Sequence, residues 1–299
     1  MFHNGTKPRC GREPTDIDEK PKAGTEMTIL VTGATGNVGR HVVEQLLHAG
    51  ERVRALTRDP SKASLPDGVE VVAGDLATPQ TLAPALDGVD ALHLIAFSGE
   101  GFAPLQTAPE ILELAVEAGV RRATVLTGTD DELAVLKAVQ AAEVEWTHLR
   151  PPEFMANALG WAHSIRTDGE VRAAFGSQLH AVVHEADIAA VAVTALLEDG
   201  HVGRTYSPTG PEALTVPQQA GMIAAAIGRH VRFVELTPDQ AREQMRAMKV
   251  ADDVIEAVID YGVNPPEEAH TVLATVEQVT GRTPRSFTQW ATEHAAAFR

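Results

Sequence analysis

The chain has 299 residues, of which 44% are hydrophobic and 22% charged, which is typical of a globular protein. No apolar run approaches the roughly 18 residues that a membrane helix needs, so we expect no membrane partner. The net charge of −16 argues against nucleic acid as a general partner, because phosphate binding needs a basic face.

Residues 1–26 are polar, rich in Pro and Gly, and without the apolar core of a secretory signal. We predict a disordered extension, with a regulatory tail as the alternative. Met27 stands directly before the first predicted strand and is a candidate natural start. The single cysteine, Cys10, lies in this extension. An intramolecular disulfide is therefore impossible, and a cytoplasmic location is expected.

The first predicted element is the segment TILVTGATGNVG at residues 28–39, which combines a strand, a tight turn and the start of a helix. Gly33 allows the sharp turn, Gly36 lets backbone approach a pyrophosphate, and Gly39 lets the helix pack closely. The N–H groups at the helix N-terminus then face the phosphates. A merely Gly-rich turn is the alternative interpretation. The predicted dinucleotide contacts in this segment are Gly33, Thr35, Gly36, Asn37 and Val38.

Strands and helices alternate over the next 120 residues, which predicts a parallel sheet covered on both faces. The fold class is therefore α/β, a Rossmann-type doubly wound sheet. The further strands are predicted at 52–57, 69–73, 90–95, 123–127 and 146–149. The helices are predicted at 38–47, from Thr78 onward, at 109–118 and at 131–142.

The second half is less regular and mostly helical. It carries predicted helices at 186–197, 215–227, 237–248, 251–260, 267–279 and 288–298, and a strand at 231–234. We predict a Rossmann domain at 27–155, completed by about 184–208. A smaller substrate lobe is predicted from 156–183 and 209–299. The ligand then lies in the crevice between them, at the carboxyl ends of the strands.

The residues at the end of the second predicted strand indicate whether NAD or NADP binds. An arginine suits the 2′-phosphate of NADP, and Arg58 stands there, with Arg40 as a possible helper. A solvated surface arginine is the alternative. Asp59 complicates the assignment, because an acidic residue at this place can hold the ribose hydroxyls of NAD. We predict NADP as the cofactor, with NADPH preferred over NADH.

The other strand ends complete the predicted site, because parallel strands point their carboxyl ends at the same edge. Asp75 can meet the adenine edge or cap the next turn. The further cofactor contacts are predicted to be Leu76, Ala96, Phe97, Thr127 and Pro151. The substrate pocket is predicted to contain Phe97, Glu153, Phe154, Met155 and His184.

Seven motifs in order make the chain resemble an atypical short-chain dehydrogenase/reductase of the NmrA-like branch, from about Met27 to the C-terminus. They are GATGNVG, VRALTRDP, GDLATPQTL, WTHLRPPEFMANAL, HEADIAAVAVTALL, GRTYSPTGPEALT and TGRTPRSFTQWA. The resemblance implies NAD(P)H binding. Members of that branch include quinone, dye, iminium and enoyl-type reductases, and NADP-binding sensors without a reaction.

The chain departs from the ordinary superfamily pattern, in which a Tyr-x-x-x-Lys pair protonates the substrate. Its two tyrosines, Tyr206 and Tyr261, lie far beyond that position, and Lys137 is more typical of a solvated helix residue. Hydride transfer to a strong electrophile needs mainly proximity and a dry site. His148 lies within a strand, so a packed histidine is its alternative role, whereas the resemblance suggests Asn157. The candidate catalytic residues are Thr127, Thr129, His148 and Asn157.

We predict no metal site, because His180 and His184 lie on an extended segment that separates their side chains. The leading interpretation is an NADPH-dependent oxidoreductase that transfers hydride to a quinone, an iminium ion or a conjugated carbonyl. A non-catalytic NADP-binding redox sensor or regulator is the first alternative. A non-redox isomerase or cyclase is the second. The expected partners are a small-molecule substrate and, at most, a second copy in a homodimer.

Overall fold

The computed structural model describes residues 26–98, 103–127 and 133–299, so almost all of the predicted extension lies outside the described residues. The described strands, in chain order, are β1 (Thr28–Val31), β2 (Arg52–Thr57), β3 (Glu70–Ala73), β4 (Ala91–Ile95), β5 (Phe97–Ser98), β6 (Ala103–Pro104), β7 (Arg122–Leu126), β8 (Glu145–Leu149), β9 (Glu170–Ala173), β10 (Arg204–Tyr206) and β11 (Arg232–Glu235).

The helices fall into two groups along the chain. Those of the first two thirds are α1 (Gly39–His48), α2 (Ala83–Leu86), α3 (Ala108–Glu117), α4 (Leu133–Ala141), α5 (Ala162–Asp168) and α6 (Glu185–Leu197). Those of the last third are α7 (Val216–Ile227), α8 (Pro238–Ala247), α9 (Asp252–Val263), α10 (Glu267–His270), α11 (Thr275–Thr280) and α12 (Phe287–Glu293).

A seven-stranded sheet in the order β3-β2-β1-β4-β7-β8-β10 forms the centre of the molecule, and all its neighbouring pairs are parallel. One hydrophobic core joins one sheet face to α2, α3 and α4, and a second joins the other face to α1, α6 and α11. Strand β1 is buried along its whole length, which explains its unbroken apolar sequence. The predicted Rossmann-type fold is confirmed.

In the second half of the chain, the observed helices and strands differ from the predicted ones. Helix α5 and strands β9 and β10 were not expected. The helix predicted at 267–279 is divided into α10 and α11, because the N–H of Leu273 bonds to the Thr209 hydroxyl (2.8 Å) instead of continuing a helix. The helix predicted at 288–298 ends at Glu293 and continues as a 3-10 turn over Ala295–Phe298. These breaks depend on contacts distant in sequence.

A third hydrophobic core lies in the C-terminal part of the chain. It is built around Ile165, Ile223, Phe287, Trp290 and Phe298, all fully buried. A small parallel sheet of β9 and β11 packs beside it. We keep the division into a Rossmann domain and a substrate lobe, at the boundaries given above, as a proposal that this separate core supports. Within the described ranges, no helix combines the length and apolarity needed to cross a bilayer.

His93 is a fully buried titratable group at the centre of the sheet, on β4. Its Nδ1 lies 2.9 Å from the Thr124 hydroxyl, and Nε2 has no partner in the described part of the chain. Burial lowers the pKa of His93 from 6.5 to about 4. The folded protein therefore holds a neutral imidazole at a pH where the unfolded chain is already protonated.

Acidification is expected to destabilise the protein through this histidine. The neutral, buried His93 makes its full contribution to the free energy of unfolding above the unfolded pKa of 6.5. This contribution is lost as the pH falls toward 4. At about 1.4 kcal/mol per pKa unit, His93 accounts for roughly 2 kcal/mol between pH 6.5 and 5. Urea unfolding across this range should show a flatter pH dependence in His93→Gln. The exposed His230→Gln is the control, and equal slopes in all three proteins would contradict the assignment.

Candidate functional site

A cleft of about 230 Å3 lies at the carboxyl ends of β1, β2, β3 and β4. It includes six of the predicted cofactor contacts, namely Gly33, Thr35, Arg58, Asp75, Leu76 and Phe97.

 Four further residues of the cleft were not predicted, namely Leu56, Thr57, Gly74 and Ile95. Their signal was their position at a strand end, where parallel strands place ligand contacts.

The glycine turn after β1 has the shape that a phosphate cradle requires. Gly33 has a φ of +60°, and its carbonyl accepts a hydrogen bond from the N–H of Gly36 at 2.8 Å. A Cβ on Gly36 would lie 3.1 Å from the Gly33 oxygen, whereas a Cβ on Gly39 would overlap that oxygen. Gly39 therefore allows α1 to pack against the turn itself, and not only against the sheet as expected. Thr35, Asn37 and Val38 lie in the same turn, between Gly33 and α1.

Thr32 holds this turn in place, although sequence reasoning gave it no role. Its buried hydroxyl donates to the carbonyl of His93 at 3.0 Å and accepts from the N–H of Ile95 at 2.9 Å. The hydroxyl thereby ties the end of β1 to the end of β4 across the floor of the cleft. The only signal in the sequence was a threonine directly before the first glycine.

The two charged residues after β2 have different surroundings. Arg58 is exposed at the cleft. The carboxylate of Asp59 accepts hydrogen bonds from the N–H and hydroxyl of Ser61, and it forms an ion pair with Lys62. The bonds from Ser61, followed by Lys62, lower the pKa of Asp59. This carboxylate is thus occupied as the cap of a short 3-10 helix, whereas Arg58 has no hydrogen bond within the described residues.

Arg40, the predicted helper, lies in the first turn of α1. Its Nε atom is buried and has no hydrogen-bond partner among the described residues. A buried, unpaired guanidinium N–H is costly unless another group satisfies it. The side chain therefore has a donor available for an anion near the helix N-terminus.

Asp75 combines the two roles that the sequence left open. One carboxylate oxygen accepts from the N–H of Ala77 at 3.0 Å, which caps the next turn, and the residue also lines the cleft. The Thr81 hydroxyl bonds to the N–H of Asp75 and fixes its backbone. The adjacent predicted contacts, Leu76 and Ala96, are both buried.

Thr127 and His148 form a closed, buried pair at the ends of β7 and β8. The Thr127 hydroxyl lies 2.7 Å from His148 Nε2, and Nδ1 lies 3.5 Å from the Thr205 hydroxyl. Burial, helped by Arg150, lowers the pKa of His148 to about 4, so the ring is neutral at pH 7. This arrangement favours a packed strand histidine over a proton donor. The candidate Thr129 lies outside the described residues.

The segment after β8 crosses from the sheet to the lobe. Pro151 is buried, Phe154 is half-buried and pairs with Val183, and Met155 is fully buried in the third core. These contacts favour a packing role for Met155. Asn157 is exposed, and its N–H bonds to the Phe154 carbonyl in a 3-10 turn.

His184, predicted to face the substrate, is instead 1% exposed and caps α6. Its Nδ1 accepts from the N–H of Ala186 at 3.1 Å, so Nε2 carries the hydrogen and donates to Glu293 at 3.1 Å. Asp187, also buried, pairs with Arg285. The segment HEAD therefore joins α6 to the C-terminal part of the chain, and the burial of His184 argues against its predicted place in the substrate pocket.

Glu185, in the same segment, is expected to be a large contributor to stability. Its buried carboxylate accepts from the N–H of Ala156 at 2.7 Å and from Nε1 of Trp290 at 3.2 Å. Glu185→Ala leaves both buried donors unpaired, which should cost roughly 2–5 kcal/mol of unfolding free energy. Urea unfolding measures the loss. The exposed Glu267→Ala is the control, and a loss equal to that of the control would contradict this role.

Glu153 and His180 form a second polar pair, close to the segment after β8. The Glu153 carboxylate lies 2.9 Å from His180 Nδ1, and the two side chains are 19% and 17% exposed. Across the described residues, no group of three or more His, Cys, Asp or Glu is arranged to hold a metal ion. The absence of a metal centre stays a prediction.

Comparison with known proteins gives three results. A family model described as NAD(P)H-binding matches residues 33–199. The (4-alkanoyl-5-oxo-2,5-dihydrofuran-3-yl)methyl phosphate reductase of Streptomyces griseus subsp. griseus is 40% identical, over 90% of this chain and 99% of that protein. The NAD(P)H azoreductase of Xenophilus azovorans is 37% identical, with the same coverage.

A solved structure supplies the fourth comparison. The NADPH complex of an NADPH-dependent quinone oxidoreductase from Escherichia coli matches with a TM-score of 0.75 at 24% identity. The match covers 89% of this chain and 99% of the other. At this identity, the likeness shows a shared fold.

Proposed function

Since the chain belongs to the NAD(P)H-binding family and is a reductase of the atypical short-chain dehydrogenase/reductase type, we propose that it uses NADPH to reduce an electrophilic small molecule. The proposed acceptor is a quinone, an iminium ion or a conjugated carbonyl. The observation that carries the proposal is the cleft beside the glycine turn, with Arg58 at its edge. NADPH supplies a hydride when it is bound.

The residues of the cleft fit a dinucleotide phosphate. The turn at Gly36 leaves space that a side chain would fill, and the N-terminus of α1 follows it directly. Arg58 is proposed to bind the 2′-phosphate, and Arg40 has a buried donor to offer. Asp59 is already occupied by Ser61 and Lys62, which supports a preference for NADPH over NADH.

The class of acceptor is supported by the relatives and by the described catalytic candidates. The two relatives are named for reducing a dihydrofuranone and for reducing azo compounds, both unsaturated and electrophilic. Thr127 and His148 are bonded to each other in a buried pair, an arrangement that favours packing over proton donation. An electrophile that accepts hydride readily places the smallest demand on such a site.

The proposed function is tested by combining cofactor titration with turnover. The purified chain should bind NADPH more tightly than NADH in calorimetry. It should also oxidise NADPH in a one-to-one ratio with reduction of a quinone or a cationic dye. Tight NADPH binding without turnover across quinones, iminium ions and conjugated carbonyls would contradict the proposal and favour an NADP-binding sensor.

A further inference from the structure

A proton must reach the acceptor whenever hydride transfer leaves negative charge on an oxygen, and the described candidates do not supply it. His148 is neutral at pH 7 and bonded to Thr127, and Asn157 carries no acidic proton. Tyr206 lies at the edge strand, with its hydroxyl 2.8 Å from His201 Nδ1. Burial, with Glu153 and Glu268 nearby, raises the pKa of Tyr261, which makes its hydroxyl a weaker acid.

We propose that His180, positioned by Glu153, is the proton donor to the reduced acceptor. The inference rests on the proposed function and deepens it. The Glu153 carboxylate accepts the hydrogen bond from Nδ1 of the ring at 2.9 Å. Within the described part of the chain, Nε2 makes no hydrogen bond, so the second nitrogen of the ring is available to a ligand.

The backbone around the pair is fixed by reciprocal hydrogen bonds. His180 exchanges two bonds with Leu214, each 2.9 Å long. On the other side of the pair, the N–H of Val183 donates to the carbonyl of Glu153, and the N–H of Met155 donates to the carbonyl of Val183. The two side chains are thus held together by the segments that carry them, which suits a preorganised acid.

The location of the Glu153–His180 pair also suits a proton donor. Glu153 follows the carboxyl end of β8, the edge at which parallel strands place a ligand, and His180 lies on the segment that returns to α6. Both side chains are mostly buried but retain some exposure, at 19% and 17%. Partial exposure lets the ring contact an acceptor and exchange protons with solvent.

The proposed proton transfer conserves both atoms and electrons. The acceptor gains a hydride, which carries two electrons, and negative charge develops on its oxygen. The Nε2–H bond of the protonated ring then breaks, and an O–H bond forms on the acceptor. The ring regains its proton from solvent. The positioning role of Glu153 is to accept the hydrogen bond from Nδ1, which fixes the orientation of the ring and leaves Nε2 for the acceptor.

Two acceptors with different proton demands test the assignment. Reduction of 1,4-benzoquinone needs a proton, whereas a triphenylmethane cation such as malachite green becomes neutral on gaining hydride alone. His180→Gln is expected to lower kcat for the quinone by about 100-fold, the usual scale for a general acid. Turnover of the dye should change by less than about threefold. The exposed His270→Gln is the matched control and should leave both rates unchanged.

Further readouts separate catalysis from structure. NADPH affinity and melting temperature should be equal in the wild type and His180→Gln. Binding of 4-nitrophenolate, whose oxygen resembles that of the reduced acceptor, should weaken about tenfold on loss of one charge-assisted hydrogen bond. Glu153→Gln should lower quinone turnover more than dye turnover, and Glu153→Asp should restore part of the loss.

The outcomes are distinct. If the wild type reduces neither acceptor, the proposed function fails, and this inference fails with it. If the wild type reduces both, and His180→Gln slows both equally or neither, the proposed function stands and the assignment of His180 is overturned.

Discussion

Gly36→Val is expected to fold normally and to bind both NADPH and NADH at least about 100-fold more weakly, the effect of losing two charge-assisted hydrogen bonds to phosphate. A Cβ at this position would lie 3.1 Å from the Gly33 oxygen and meet no other atom, so only that oxygen has to shift, by a few tenths of an ångström. The branched side chain then fills the space that the pyrophosphate is proposed to occupy. Calorimetric titration with each cofactor measures the loss.

Two other glycines provide the controls for this variant. Gly221, on α7, has open space where a Cβ would lie, so Gly221→Val should bind both cofactors as the wild type does. Gly39→Val should lower the melting temperature, because its Cβ would overlap the Gly33 carbonyl. Undiminished cofactor binding by a folded Gly36→Val would remove the glycine turn from the proposed site.

The fold could be predicted from the sequence because its signals are local. Strand β1 is a short apolar run between a polar segment and a glycine turn, and the strands that follow alternate regularly with helices. These patterns determine a parallel sheet, and the parallel sheet determines which residues meet at its carboxyl edge. The cleft therefore includes Arg58 and Asp75 where the strand ends predict them.

The roles of single side chains were less predictable, because they depend on partners distant in sequence. The sequence predicts that His184 is a pocket residue, but its Nε2 lies beside Glu293, 109 positions later. An acidic residue after β2 suits a ribose, but the carboxylate of Asp59 contacts Ser61 and Lys62. The contact of His180 with Glu153 spans 27 residues and has no local signal in the sequence.

Arg58→Glu is expected to weaken NADPH binding by roughly 10- to 150-fold, the equivalent of one charge-assisted hydrogen bond of about 1.5–3 kcal/mol. NADH binding should change much less, because NADH has no 2′-phosphate for Arg58 to bind. The side chain is exposed at the cleft, so its replacement should not disturb the fold. Parallel titrations with NADPH and NADH give the ratio of affinities that the prediction concerns.

The opposite end of the same strand supplies the control for Arg58→Glu. Arg52 begins β2, is exposed, and lies away from the cleft, so Arg52→Glu makes the same change in net charge without touching the site. If general repulsion of a more negative protein explained the loss, both variants would bind NADPH equally weakly. An equal loss of NADPH and NADH in Arg58→Glu alone would assign Arg58 to a part that both cofactors share, and the proposed preference would then have to rest on Arg40.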